Sequence, residues 1–235
     1  MIFLYIYPHP DDESFGSAHA MSKQLHQGHE VYLLTLTRGG ATKQRHKFGY
    51  TVEQMGEVRF REMQCVEKVL GLTGMTVLDL PDSGLKEMDP REIEAVVREH
   101  ILTVRPNILV TYPVHGISGF HDHIVTHAVV KRVFNELHAV EPYLKRLAFE
   151  TITEEEAKSF THFHLNGSKP EEIDCVMTVG DKDIEAGHRA LDCYESYKET
   201  IENTRIKEYI HHKVVFEIYG EIHNPPVDDL CAGLR

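Results

Sequence analysis

A histidine, a proline and three consecutive acids, His9-Pro10-Asp11-Asp12-Glu13, follow the apolar run MIFLYIY after the single residue Pro8. Adjacent like charges repel and gain nothing from packing, so such a block calls for a cation or a reaction. His9 and Asp12 stand three positions apart at the turn into a helix, and a second cluster, His121-Asp122-His123, follows the fourth apolar run. With 17 histidines in the chain, that second cluster gains weight only beside the first. His9, Asp12 and His123 supply two imidazoles and one carboxylate, a donor set that binds a divalent metal and leaves coordination positions open. The set suits a hydrolytic Zn2+ site; it also suits Fe2+, an oxygenase centre included. Acids that only complement a helix dipole explain one or two carboxylates in a first turn, not the whole block.

The elements that must position these residues are legible as a rhythm. β-rich runs at 1–7, 31–37, 75–81 and 107–113 alternate with segments whose apolar residues recur at helical spacing, 52–70 and 90–104. A further helix is predicted over 121–138, and RLAFETI, DCVMTVG and HHKVVFEIYG read as later strands. Residues 153–173 are polar and interrupted by Gly and Pro, which predicts a loop or an excursion from the sheet. Strands without polar alternation are covered on both faces. The expected fold is therefore α/β, one domain over residues 1–235, with a Rossmann-like, mostly parallel sheet, helices on both faces and the active site at the carboxyl ends of the strands. His9 to Glu13, Arg38-Gly39-Gly40, Asp82-Ser83-Gly84 and His115 to His123 would all meet there. Acids stand where a dinucleotide fold needs glycines, which excludes a dinucleotide cofactor.

Bulk properties narrow the partners. A formal net charge of −12 excludes a general nucleic-acid surface. No apolar run approaches the ~20 residues a membrane span needs, and the expected location is cytoplasmic. Cys65, Cys175, Cys193 and Cys231 form no C-x-x-C pair and read as free thiols of a reducing compartment. The stretch 38–48 carries Arg38, Lys43, Arg45 and Lys47 and no acid. At the crevice it would attract an anionic small molecule such as a malate conjugate; elsewhere it is a solvated loop. A homo-oligomer is compatible with the sequence, which does not specify one.

Pro8 to Glu13, the TRGG after the second strand, Arg59 and Glu62 on a helix closing at Leu70-Gly71, LPDSGL and the late Asp122-His123 resemble, in order, the LmbE/PIG-L family of metal-dependent N-acetylglucosaminyl deacetylases. Within it the chain is most similar to the bacterial deacetylases of bacillithiol synthesis, whose substrate is N-acetylglucosaminyl malate. The resemblance implies that His9, Asp12 and His123 hold the metal, that Asp11 is the general base, and that Glu13 supports the ligands. It places Arg59 and Asp82 beside the substrate, although an ion pair locking helix to loop explains either equally. An amidase acting on a thiol-glucosamine S-conjugate is the second reading, and a non-catalytic metal-binding module the third. The family commonly has His-x-Asp-His where this chain has Phe120-His121-Asp122-His123, so the usual oxyanion donor is missing. His121, displaced by one position, and His115 are the candidate replacements, with Asp122 orienting whichever serves; otherwise the metal acts alone. Tyr194-Glu195-Ser196-Tyr197 only echoes the family's late aromatic-x-Ser-Gln motif, Tyr197 replacing the glutamine.

Overall fold

The first strand shows how the sheet is covered. In β1 (Ile2–Tyr7), Phe3, Tyr5 and Tyr7 enter one buried apolar cluster, and Leu4 and Ile6 enter another. Side chains alternate faces along a strand, so a run with no polar positions needs a layer on each side. The computed structural model describes residues 1–234 and supplies both layers.

In chain order, β1 is followed by α1 (Asp12–Phe15), α2 (Ala18–His26), β2 (Glu30–Thr37), α3 (Arg45–Phe48), α4 (Val52–Leu70), β3 (Gly74–Leu80), α5 (Pro90–Val104), β4 (Ile108–Thr111), α6 (His121–His138), β5 (Arg146–Thr151), α7 (Glu154–Ser159), β6 (Cys175–Thr178), α8 (Asp181–Asp192), α9 (Lys198–Thr204) and β7 (Lys213–Ile218). The strands form one seven-stranded sheet in the order β3-β2-β1-β4-β5-β7-β6. Pairing is parallel from β3 through β5, whereas β7 runs antiparallel to both of its neighbours. Ala20 and Met21 of α2, Met63 and Val66 of α4, and Ala190 and Leu191 of α8 cover one face. Ile93, Val97 and Ile101 of α5 and Val130, Val133 and Phe134 of α6 cover the other.

The long helices have local start and stop signals. Thr51 and Gln54 form a capping box for α4, and Gly71 closes it in the left-handed conformation. Asp89 caps α5 with Pro90 at its first position. Three expectations are corrected. Residues 153–173 hold the short helix α7, nucleated by a Thr153–Glu156 capping box. β3, expected to be covered on both faces, is an edge strand and only partly buried. Cys65 and Cys193, 128 residues apart, form a disulfide with a Cα–Cα distance of 5.7 Å, leaving Cys175 and Cys231 as the free cysteines. No sequence spacing reports that pair, because it arises from α4 packing against the segment after α8. Free thiols thus no longer argue for a reducing compartment. Among the described residues no helix is long and apolar enough to cross a membrane.

Candidate metal centre and active site

β1 ends at Tyr7, and the chain turns through Pro8-His9-Pro10 into Asp11, whose φ of 84° is a left-handed conformation that Asp tolerates better than most residues. From there its carbonyl accepts the N–H groups of Ser14 and Phe15 and starts α1. Asp12, the first residue of α1, points inward with its Oδ2 accepting the His9 N–H at 2.9 Å and its Oδ1 accepting the Tyr112 hydroxyl at 2.8 Å. α6 delivers His123 from its first turn, stacked on the Tyr112 ring at 4.2 Å.

His9, Asp12 and His123 offer ligand atoms that all lie within 4.8 Å of one another. His9 Nδ1 is 3.6 Å from Asp12 Oδ2, and His123 Nε2 is 3.4 Å from Asp12 Oδ1. The other ring nitrogens are held from behind, as metal-binding histidines require. His9 Nε2 lies 3.2 Å from Asp122 Oδ2 and 3.4 Å from Asp82 Oδ1, and His123 Nδ1 lies 3.0 Å from the Gly116 carbonyl. Gly116 is there for a steric reason: its φ is 63°, and a Cβ would sit 2.8 Å from the Cβ of His123. The donor set therefore fits a divalent cation.

Electrostatics agree. Burial alone would make protonation of His9 unfavourable, but Asp12, Asp122 and Asp82 overcome it and lift the imidazole pKa to about 10. The buried acids demand a positive charge at this point, which a protonated His9 or a bound cation can supply. Asp11 stands apart. Its carboxylate turns to the Arg59 Nη2 at 2.6 Å, outside the three-donor set, and burial, opposed by Arg59, lifts its pKa to about 7. A carboxylate poised there can accept and return a proton near neutral pH.

The other expected site residues divide. Asp82 borders the site cavity and accepts the Ala41 N–H at 2.6 Å. Arg59 borders it too, donating to the carbonyls of Gly39 and Pro10 and lying 4.4 Å over the Tyr197 ring, which makes it a brace for Asp11. Within the basic stretch, Lys43 alone of Arg38, Lys43 and Arg45 borders the cavity. Arg38 is bonded to Glu57 and covers the Phe60 ring, and Arg45 approaches His46. Neither His115 nor His121 borders the cavity. His115 Nδ1 accepts the Ile117 N–H and its Nε2 lies 3.4 Å from Ser168 Oγ, while His121 is exposed at the start of α6. Asp122, expected to orient one of them, instead pairs with His9 and accepts the Ser83 N–H at 2.8 Å. Phe120 occupies the rim in the place of the missing donor, edge-on to His123 at 5.6 Å.

Tyr194 and Ser196, which the sequence offered only as an echo of a motif with no role assigned, reach in from the far part of the chain. Tyr194, 1% exposed, accepts the Asp11 N–H at 2.8 Å and donates to Glu13 Oε1 at 2.7 Å. Glu62 accepts both the N–H and the hydroxyl of Ser196 at 2.7 Å. Arg59, Glu62 and Cys65 recur every three residues, so one face of α4 meets Tyr197, Ser196 and Cys193 in turn. The R-x-x-E-x-x-C spacing was a readable signal of that face; its partner segment was not.

An α/β sheet carrying a three-donor centre at its carboxyl edge defines the class. Residues 4–134 match the model described as PIG-L, GlcNAc-PI de-N-acetylase, and the chain belongs to that family. It is 31% identical over 150 residues to a 1D-myo-inositol 2-acetamido-2-deoxy-alpha-D-glucopyranoside deacetylase of Thermomonospora curvata, covering 55% of this chain and 50% of that relative. It is 31% identical over 156 residues to a mycothiol S-conjugate amidase of Streptomyces coelicolor, covering 59% and 53%. The chain thus spans about half the length of these curated relatives. The crystal structure of a deacetylase of the teicoplanin pathway superposes with a TM-score of 0.72 over 93% of this chain and 97% of that one, at 13% identity, a likeness of fold.

Proposed function

We propose that the protein is a metal-dependent hydrolase that removes the N-acyl group of an amino-sugar conjugate, N-acetylglucosamine being the sugar its family and its curated relatives favour. The observation that carries this reading is the division of labour between neighbours: Asp12 turns into the donor set, and Asp11 turns out of it toward Arg59. A bound Zn2+ or Fe2+ would polarise the amide carbonyl and acidify water. Asp11 takes a proton from the attacking water and returns it to the departing nitrogen, so the C–N bond breaks to give a carboxylate and a free amine. Arg59 and Tyr194 hold Asp11 in position from its carboxylate and its backbone. Asp122 and the Gly116 carbonyl hold the two imidazoles.

The N-acetylglucosaminyl malate of bacillithiol synthesis is one member of this substrate class, supported at the cavity by Lys43 from the basic stretch. Hydrolysis of a thiol-glucosamine S-conjugate is the second reading, because the amidase and the deacetylase relatives are equally similar to this chain. Incubating metal-loaded protein with N-acetylglucosamine conjugates and with a cysteinyl-glucosamine conjugate, and detecting the amine released, tests both. Amine from the first group supports deacetylation, and amine only from the second assigns the amidase. No amine from any of them overturns the hydrolase.

A further inference from the structure

The cavity in front of the metal centre measures about 660 Å³, in the range of pockets that enclose a drug-sized ligand. The part of its wall that is not the metal centre is built mainly from apolar side chains. Phe160, Phe163 and Leu165 come from the segment after α7, and Ile206, Tyr209 and Ile210 from the approach to β7. Phe160 is the hub, with Phe163 at 4.8 Å and Tyr209 at 5.0 Å between ring centroids. Asn166 ties this wall to the loop beside the metal ligands, its N–H and side-chain amide both donating to the Ile117 carbonyl. Metal centre and apolar wall are therefore parts of one cavity.

Two large aromatics on its lining stay in water, Phe120 at 61% and Phe163 at 47% exposure. Several polar groups at this wall are already engaged: His211 pairs with Glu156 at 2.5 Å, and Glu150 takes the hydroxyls of Tyr7 and Ser17. His19 leaves Nδ1 without a protein partner, and Lys43 and Lys213 are the lysines of the lining. A glucosamine ring can lay one C–H face on a single aromatic, but its equatorial hydroxyls gain nothing from the rest of such a wall. An alkyl or aryl group displaces water from it.

We infer that the conjugate acted on carries an apolar aglycone, alkyl or aryl, bound along Phe160, Phe163 and Tyr209 with Phe120 and Phe163 closing over it. This rests on the hydrolase reading above and names its substrate class: an apolar glycoside of the N-acylated amino sugar rather than an anionic one.

The test compares methyl, hexyl, phenyl and malyl glycosides of N-acetylglucosamine, with the methyl glycoside of N-hexanoylglucosamine as a control for the acyl side. A kcat/KM for the hexyl and phenyl glycosides at least about tenfold above the methyl glycoside, expressed in KM, is expected. Phe163→Ala and the milder Phe160→Leu should shrink that difference severalfold. Equal values across the glycosides, or preference for the malyl glycoside lost in Lys43→Ala, would overturn the inference. A gain that follows the hexanoyl group instead would also overturn it, because the wall would then hold the acyl side. A readout independent of turnover is calorimetry of hexyl glucoside, which has no amide. Binding with a negative heat-capacity change, weakened in Phe163→Ala, supports the apolar subsite even if no amine is released from any substrate, and absent binding counts against it.

Discussion

The stretch up to the end of α6 and the stretch after it build the same cavity by different means. The first carries its chemistry in short contiguous blocks: His9, Asp11 and Asp12 lie within four residues, and Asp122 and His123 are neighbours. The second contributes scattered residues, Glu150, Phe160, Tyr194, Tyr209, that reach the site only through the fold. Metal binding needs fixed donors at fixed distances, which a turn or a helix start can supply locally. A wall needs only volume and apolarity, and many arrangements satisfy that. The family match ends at residue 134, within α6 and four residues short of this division.

Removal of a metal donor should have the largest effect. His123→Ala or Asp12→Ala should abolish metal binding, measured by elemental analysis, and lower activity at least about a thousandfold, because three protein ligands leave no spare. Full occupancy in His123→Ala would move the centre elsewhere. Asp11→Asn should keep the metal and lower kcat by roughly 10²–10⁴-fold. Loss of metal in that variant would make Asp11 a ligand rather than a base.

Tyr194→Phe crosses between the two stretches. It removes the hydroxyl that links Asp11 to Glu13 while keeping the ring, and should cost roughly 1–3 kcal/mol in urea unfolding and about tenfold in kcat. An unchanged kcat would show that the backbone turn holds Asp11 unaided.

Glu150 gives a pH signature. Burial lifts its pKa from 4.5 to about 7, so across that window the folded chain keeps a proton the unfolded chain has released. Stability then falls as pH rises through the window and stays lower above it, by at most about 3 kcal/mol. Glu150→Gln should reduce this slope and leave the share of Asp11, which is lifted over a similar window; an unaltered slope would assign it to other groups. The smallest effects are expected for His115→Ala and His121→Ala, each within about twofold of the parent kcat, since neither borders the cavity. A loss of about a hundredfold in either would restore it as an oxyanion donor.

Legibility followed the same division. The helices 52–70, 90–104 and 121–138 could be read because caps and apolar period coincide in Thr51–Gly71 and Asp89-Pro90, and because the apolar stripe of 121–138 is long. The donor triad was legible because its members announce themselves as charges without packing value. For Arg38 and Arg45 a basic run records composition and not direction: Arg38 answers Glu57, and neither borders the cavity. The helix α7 was masked by flanking Gly and Pro, although its Thr153-x-x-Glu156 box was in view. The Cys65–Cys193 bond and the Tyr194–Glu13 contact, made across 128 and 181 residues, leave no local trace.

The antiparallel strand has a consequence for biogenesis. β7 is the last strand among the described residues, yet it lies inside the sheet, between β5 and β6. As the polypeptide emerges from the ribosome, β1, β2, β4 and β5 can pair in turn, but β6 has no place until residues 213–218 have been made. Until then the β5 edge, with Leu147 and Phe149 beside it, stays open to strands of other chains. Nascent chains stalled before β7 would therefore be the aggregation-prone species, and slower synthesis across residues 152–212 would lengthen that exposure.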